Sequence, residues 1–381
     1  MAEIFDLSLF IIFGIVQWRI SRGLWRTHPS RRARAAIILF NLAVFFGYLC
    51  TFADPPRMMN LPGRPAEMLG AASLTYLITA SLVRPIHWLV TRLRRSLDKP
   101  AEPSRRRVLE AAGNLALAAP IVAVGYGTFI ERTNFHVREV DMPVPRLDPS
   151  LHGLRILQLS DIHMGAFLSE PELAKIVDAS MEHRPHLAVI TGDLISMRGD
   201  PLDACIRQLG RVKADAGVYG CLGNHERYAL AEDYCTHAAA RAGMRFLRKQ
   251  AAPLHFGNAT LNIAGVDHQS LHGGRKYLVG AEKLKAPDAF NLLLSHNPDV
   301  LPVAAQQGWD LMLSGHTHGG QINIEILDSN ITPARFITPY IYGTYRAQNT
   351  AAYVTRGIGS IGIPARIGAP PEITVIRLRK A

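Results

Sequence analysis

The sequence predicts an α/β domain over residues 134–381, preceded by a membrane domain of about four helices over residues 1–133. Three observations lead there. Four apolar runs precede residue 131, positive charge is concentrated in that same third of the chain, and from Leu154 onward short apolar runs alternate with helical stretches. At 381 residues the chain exceeds the usual size of one domain. A composition of 48% hydrophobic and 19% charged residues is apolar-heavy for a protein that meets only water.

The apolar runs lie at roughly 5–18, 35–53, 69–90 and 109–130. A spanning helix needs about 20 largely apolar residues. Ala35 to Ala53 reaches that length with no charge, and Ile37 to Phe52 shows no polar face at helical period. The fourth run carries only Glu110 at its edge. The first is short, and the third is interrupted near one end by Arg84 and Pro85, where a long side chain can reach the membrane interface. Arg19 to Arg34 contains six Arg and no acid, and Arg84 to Arg107 contains eight basic residues, so the positive-inside rule makes those two loops cytoplasmic. Four spans then place the C-terminal domain on the outer face, which for a bacterial inner membrane means the periplasmic or extracellular side. Ser104-Arg105-Arg106-Arg107-Val108-Leu109 resembles a twin-arginine export signal. The simpler reading, a positive flank of the fourth span, is preferred because no cleavage site follows.

Residues 1–107 hold 16 Lys or Arg against 6 Asp or Glu, whereas residues 108–381 hold 26 against 25. The net charge of +11 therefore belongs almost wholly to the N-terminal third. A near-neutral globular part without a basic stripe excludes nucleic acid as a partner. Cys50, Cys205, Cys221 and Cys235 form no Cys-x-x-Cys pair, so they read as small buried residues, with pairing of two of the last three open in an oxidising compartment.

Beyond Leu154 the runs Leu154–Leu159, Leu187–Thr191, Val218–Leu222, Phe290–Leu294 and Leu311–Leu313 read as buried strands. Helices are expected at Glu170–Glu182, Leu202–Val212 and Leu230–Ala242. Each of the five strands ends in a polar, metal-competent block: Asp161-Ile162-His163, Gly192-Asp193, Gly223-Asn224-His225-Glu226, Ser295-His296 and Gly315-His316-Thr317-His318. Ligands of open α/β sheets gather at the carboxyl ends of strands. Gly192, Gly223 and Gly315 each precede a candidate ligand, where the chain must turn sharply or approach an ion closely. Asp161, His163, Asp193, Asn224, His296, His316 and His318 together offer two carboxylates, one amide oxygen and four imidazoles, which is too many for one ion. Two divalent ions sharing a carboxylate satisfy them, and nitrogen and oxygen donors without thiolate suit manganese, iron, zinc or nickel.

This ordered set of blocks, over about residues 150–381, resembles the calcineurin-like metallophosphoesterase superfamily, and the tail from Tyr342 to Arg366 is similar to its membrane-associated bacterial branch. The resemblance implies a β-sandwich flanked by helices (α/β/β/α). It implies one metal on Asp161, His163 and His318, a second on Asn224, His296 and His316, and Asp193 bridging them. It makes His225 the group that assists the leaving group rather than a ligand. The implied activity is phosphoester hydrolysis, of diesters above all, by metal-activated hydroxide attacking phosphorus in line. Anchorage beside the bilayer points to lipid-linked or cell-envelope substrates. Related sequences often read Gly-Asp-x-x-Asp in the second block, where this chain has Ser196, which puts the orientation of the ligands in doubt. Arg356 and Arg366 are candidates to hold a substrate phosphate, and His268 stands between packing and substrate contact. His225-Glu226-Arg227-Tyr228-Ala229 starts like a zinc-protease helix but lacks its second His. The competing function is a membrane-tethered binding or scaffolding module whose metals are structural.

Overall fold

A computed structural model describes residues 2–27, 30–52, 65–77, 79–80, 88, 92, 122–145, 147–270, 276–326 and 329–381. The chain divides into two compact units, Met1–Ile130 with Gly362–Ala365, and Glu131–Ile361 with Arg366–Ala381.

In the first unit, helices Ala2–Thr27 and Arg31–Phe52 are joined by a polar contact: Gln17 Nε2 and Ser21 Oγ both donate to Asn41 Oδ1, at 2.9 and 2.6 Å. The first helix thus runs well beyond its apolar stretch, because Gln17 and Ser21 find a partner on the second. Val44, Tyr48, Tyr76 and Leu77 form a small apolar core. Among the described residues one helix, Arg31–Cys50, is long and apolar enough to cross a membrane. The third apolar run is described as helix over 69–77 and at 79–80 and 88; of the fourth, 122–129 are helical. The rest of both runs, the Asp54–Arg64 part of the intervening loop and the Ser104–Leu109 motif lie outside the described residues.

The second unit is built on two six-stranded sheets. The first has the order β1 (His136–Val144), β14 (Glu372–Lys380), β2 (Arg155–Leu159), β3 (Leu187–Ile190), β4 (Val218–Gly220), β5 (Met244–Phe246). The second has the order β12 (Gly343–Ala347), β13 (Thr350–Val354), β9 (Leu311–Ser314), β8 (Phe290–Leu294), β7 (Ala259–Gly265), β6 (Gln250–Phe256). Strands β2 to β5 are mutually parallel, as are β7, β8, β9 and β13. A two-stranded ribbon, β10 (Ile324–Ile326) with β11 (Ser329–Ile331), completes the set.

Strand periodicity sorts the apolar residues into layers, because successive side chains point to opposite faces. Ile156, Leu187, Val189, Leu261, Ile263, Leu292, Leu294, Leu311, Leu313 and Tyr353 fill the space between the two sheets. Their neighbours Leu157, Leu159, Ala188 and Ile190 face helices Glu170–Met181, Leu202–Leu209 and Glu232–Arg241. Ala264, Leu293, Met312 and Ala352 face helix Leu301–Gln306 and the buried Trp309. The architecture is therefore helix, sheet, sheet, helix, a mixed α/β sandwich. Strands buried on both faces read as continuous apolar runs, as the sequence has them.

Several elements depart from expectation. β1 and the C-terminal β14 pair in parallel from His136↔Glu372 to Val144↔Lys380, and β14 pairs antiparallel with β2, so the tail is the second strand of the first sheet. β6 and β7 form a hairpin around Gly257 and Asn258, with Gly257 at φ 58°. The helix expected over Leu230–Ala242 begins at Glu232, since Leu230 adopts φ 55° and separates it from a short helix, Asn224–Tyr228. The Leu202 helix stops at Leu209 before Gly210. All four cysteines are free and buried.

Candidate metal centre

Five strand ends converge: Asp161 and His163 follow β2, Asp193 follows β3, Asn224 and His225 follow β4, His296 follows β8, and His316 and His318 follow β9. Within each sheet these strands run parallel, so their carboxyl ends lie on one side. Asp161, His163, Asp193, His316 and His318 all adopt left-handed backbone, with φ of 52, 45, 56, 77 and 53°. For residues other than glycine this costs of order 1–3 kcal/mol each and persists only where the surroundings enforce it. The backbone is thus bent at the same residues that carry the candidate ligands. A Cβ at Gly223 would collide with the Asp193 carboxylate, and one at Gly315 with that of Asp161.

Three groups of ligand atoms lie within 4.8 Å of one another: Asp161 with His163 and His318, Asp193 with His296 and His316, and Asp193 with His163 and His225. Asp193 Oδ2 stands 2.9 Å from His296 Nε2 and 3.5 Å from His163 Nε2. Asp161 Oδ1 stands 3.5 Å from His318 Nε2 and 3.9 Å from His296 Nε2. His316 Nδ1 is 3.2 Å from His296 Nε2. Asn224 is buried at the first position of its helix, and the next residue's backbone N–H donates to Asp193 Oδ1 at 2.9 Å. The structure therefore brings together six of the proposed ligands and His225, with Asn224 adjoining His225 in the chain. Asp161 Oδ2, His163 Nε2 and Asn224 Oδ1 are buried with no hydrogen-bond partner. Buried polar atoms are normally paired, so this donor set fits a divalent cation.

The supporting contacts explain how the site is held. Buried Glu226 accepts the backbone N–H groups of Asp193 (3.0 Å) and Gly223 (2.7 Å) on one oxygen and of Leu194 (2.6 Å) on the other, tying the β3 and β4 ends together. Ser196 lies against two rings of the site. Its Oγ lies 3.0 Å from His163 Nδ1, and its carbonyl accepts from His225 Nδ1 at 2.6 Å. Asp200 Oδ2 in turn accepts the N–H groups of Ser196 and Met197. Thr191 O accepts from His296 Nδ1 at 2.6 Å. A carbonyl only accepts, so His225 and His296 each carry a proton on Nδ1; Nε2 of His225 is left for chemistry, while Nε2 of His296 faces Asp193 Oδ2 at 2.9 Å.

Burial lowers His163 to about 3 and His316 to about 4, and holds His318 well below the usual range, so these imidazoles are neutral and able to donate a lone pair. For His296 burial pulls the same way, but Asp193 and Asp161 outweigh it and raise the ring to about 10. Burial and the Asp193 charge raise Glu226 to about 7.

Arg366 does not face a substrate. It is wholly buried, and its guanidinium donates to the carbonyls of Gly359, Arg356 and Ala369, with one nitrogen 3.4 Å from His318 Nδ1. Arg356 stacks on Tyr342, its guanidinium carbon 4.0 Å from the ring centre. The roles of Asp200 and Arg366 carry no signal in the sequence, whereas the second block points to Ser196. Glu226 carries one too, as the last residue of its motif block.

Residues 154–320 match the calcineurin-like phosphoesterase family. A Danio rerio protein named "Transmembrane protein with metallophosphoesterase domain" is 31% identical over 368 residues, covering 93% of this chain and 82% of its own length. The Bacillus subtilis "Uncharacterized metallophosphoesterase YkuE" is 29% identical over 282 residues, covering 72% of this chain and 98% of its own. The Escherichia coli "Phosphodiesterase YaeI" is 27% identical over 281 residues, covering 72% and 99%. The chain thus belongs to the calcineurin-like metallophosphoesterases, hydrolases of phosphoester bonds that use divalent metals.

Proposed function

We propose that the chain is a dinuclear phosphodiesterase tethered to a membrane, with one cation on Asp161, His163 and His318, the other on Asn224, His296 and His316, and Asp193 shared. The observation that carries this reading is that Asp193 Oδ2 lies 2.9 Å from His296 Nε2 and 3.5 Å from His163 Nε2, which makes one carboxylate common to two ligand groups. A pair of divalent cations supplies Lewis acidity at the phosphoryl oxygens and lowers the pKa of water toward neutrality. Asp161 is aimed by the His316 backbone N–H, which donates to its Oδ1 at 2.9 Å. With Nδ1–H fixed on Ser196 O, His225 takes up or delivers a proton only at Nε2, which suits it to protonate a departing alkoxide. The diester preference draws on the Escherichia coli relative, which is named a phosphodiesterase.

In this reading residues 1–133 form a membrane domain of about four spans, and residues 134–381 form the hydrolase on the outer face of a cell membrane. Support comes from the Arg31–Cys50 helix, from the basic Arg19–Arg34 segment and from the transmembrane relative. Lipid-linked or envelope phosphoesters are the proposed substrates. Phe336 and Ile337, 93% and 84% exposed beside Arg335, favour work at a bilayer surface, since their segment is joined to the centre by the Thr332 hydroxyl donating to Gly320 O.

The test is turnover of bis(4-nitrophenyl) phosphate by the purified chain with manganese, expected to be lost in Asp193→Ala and in His225→Ala. Unchanged turnover in both variants removes the catalytic assignment. A cytoplasmic signal from a reporter fused after Ala381 overturns the topology, and equal turnover of soluble and vesicle-borne substrates overturns the lipid preference.

A further inference from the structure

Beside the candidate centre the second unit holds a cavity of about 960 Å³, whose lining includes Arg227, Tyr228, Lys249, His268, Lys276 and Val279. Two rings connect it to the chemistry. Tyr228 stands 5.4 Å from His225, centre to centre. His268, past the end of β7, stands 5.7 Å from His316 and 6.2 Å from His296, and its Nδ1 is buried without a hydrogen-bond partner. A molecule in the cavity is thus one ring away from His225 on one side and from the His296 and His316 pair on the other.

The charges of the wall are unequal in how they are used. Both acids of the lining, Glu232 and Asp267, are held by Arg248 at 3.8 and 2.9 Å. Arg227, Lys249 and Lys276 have no carboxylate within ion-pair reach among the described residues. A concave wall whose acids are neutralised in place and whose cations are free concentrates anions. Its volume is that of a small-molecule site, several times what a lone phosphoryl group needs.

We infer that this cavity is a subsite for a second phosphate-type anion carried on the same molecule as the scissile phosphoester. Lys249, Lys276 and Arg227 are its cations, and His268 lines the passage to the centre. The inference rests on the phosphoesterase reading for the position of the first phosphate, and it adds the substrate class: a compound with two separated anionic phosphate groups.

The experiment is calorimetric titration of the manganese-loaded full chain with α,ω-alkanediol bisphosphates of three to six carbons, each against its own monophosphate. At least one bisphosphate should bind about tenfold tighter than its monophosphate, about 1.4 kcal/mol. In the double variant Lys249→Ala/Lys276→Ala that advantage should fall to twofold or less, with monophosphate affinity and bis(4-nitrophenyl) phosphate turnover both within twofold of the parent. Both lysines are exposed, so the fold tolerates the change. Arg227 is kept, because it shares a helix with Asn224 and His225. No advantage at any length, or an advantage that survives in the double variant, overturns the subsite. Binding decides the subsite and turnover decides the hydrolase reading, so the two fail separately.

Discussion

Replacing Ser196 by alanine removes one hydroxyl, and the structure says which property should change. Ser196 Oγ lies 3.0 Å from Nδ1 of His163, a ring with 1% exposure, while the Ser196 carbonyl, which the substitution keeps, holds His225 at 2.6 Å. For His163 Nε2 to offer a lone pair, Nδ1 must carry the proton and donate it to Oγ. Without Oγ that N–H is buried and unsatisfied, at a cost of about 1–3 kcal/mol. The cost falls on the ring orientation that the bound cation requires, so it should surface as weaker metal binding of about 10- to 100-fold. The proton-transfer group is untouched. Turnover measured against manganese concentration should therefore show a half-saturation shifted upward by that factor, with kcat at saturating manganese within about threefold of the parent. Ser196→Thr, which keeps the hydroxyl, should restore most of the affinity. An unshifted metal dependence, or a kcat that stays a hundredfold low at saturation, would refute the idea that this hydroxyl orients His163 for the cation.

Three further outcomes are expected. His225→Ala should lower kcat by about a hundredfold or more while leaving two metal equivalents per chain by elemental analysis; loss of one equivalent would make His225 a ligand, which its place beside His163 and Asp193 also permits. Metal loading at pH 7.5 should release about one proton, because His296, raised to about 10, is charged without metal, whereas His163 and His316, at about 3 and 4, are already neutral; calorimetry in buffers of different ionisation enthalpy reads the number, and zero would contradict the assignment. The same shift gives a sign for metal-free stability: the raised His296 contributes fully below about pH 6.5, and that contribution is lost as pH rises through about 10. Arg366→Met should cost about 3 kcal/mol or more in chemical denaturation, since it leaves the Gly359, Arg356 and Ala369 carbonyls unpaired; a loss confined to substrate KM would return Arg366 to a phosphate-binding role.

The parts of this molecule that were legible in the sequence are local. Each motif-bearing strand is a run of three to five mostly buried residues, and the block after it carries Asp, Asn or His, so strand and strand-end chemistry are written side by side. The five strands were found to within one or two residues for that reason. The hairpin at Gly257-Asn258 is also local, yet β6 alternates with exposed positions and neither of its strands ends in a polar block like those of the centre. What sequence could not carry is pairing at a distance. β1 and β14 meet through residues such as Glu139 and Arg377, 238 positions apart, and neither strand holds a motif.

Arg366 shows the limit more sharply. An arginine near the end of a phosphoesterase invites a phosphate-binding role, since its fork matches a phosphate oxygen pair. The same fork matches a cluster of backbone carbonyls, and the choice depends on where the chain's last turns fold. Here the loop around Gly357 and Gly359 passes so close to Asp161 and Ile162 that a Cβ at either glycine would collide with them. Carbonyls driven that near a buried carboxylate need donors, and a buried guanidinium supplies several at once. Burial lowers its pKa only to about 10, so it stays charged at neutral pH. Its charge then acts on His318 from behind and favours the neutral ring that a cation would need in front. The arginine contributes to the centre by holding the loop on which the site closes, a role set by three-dimensional packing and invisible to spacing.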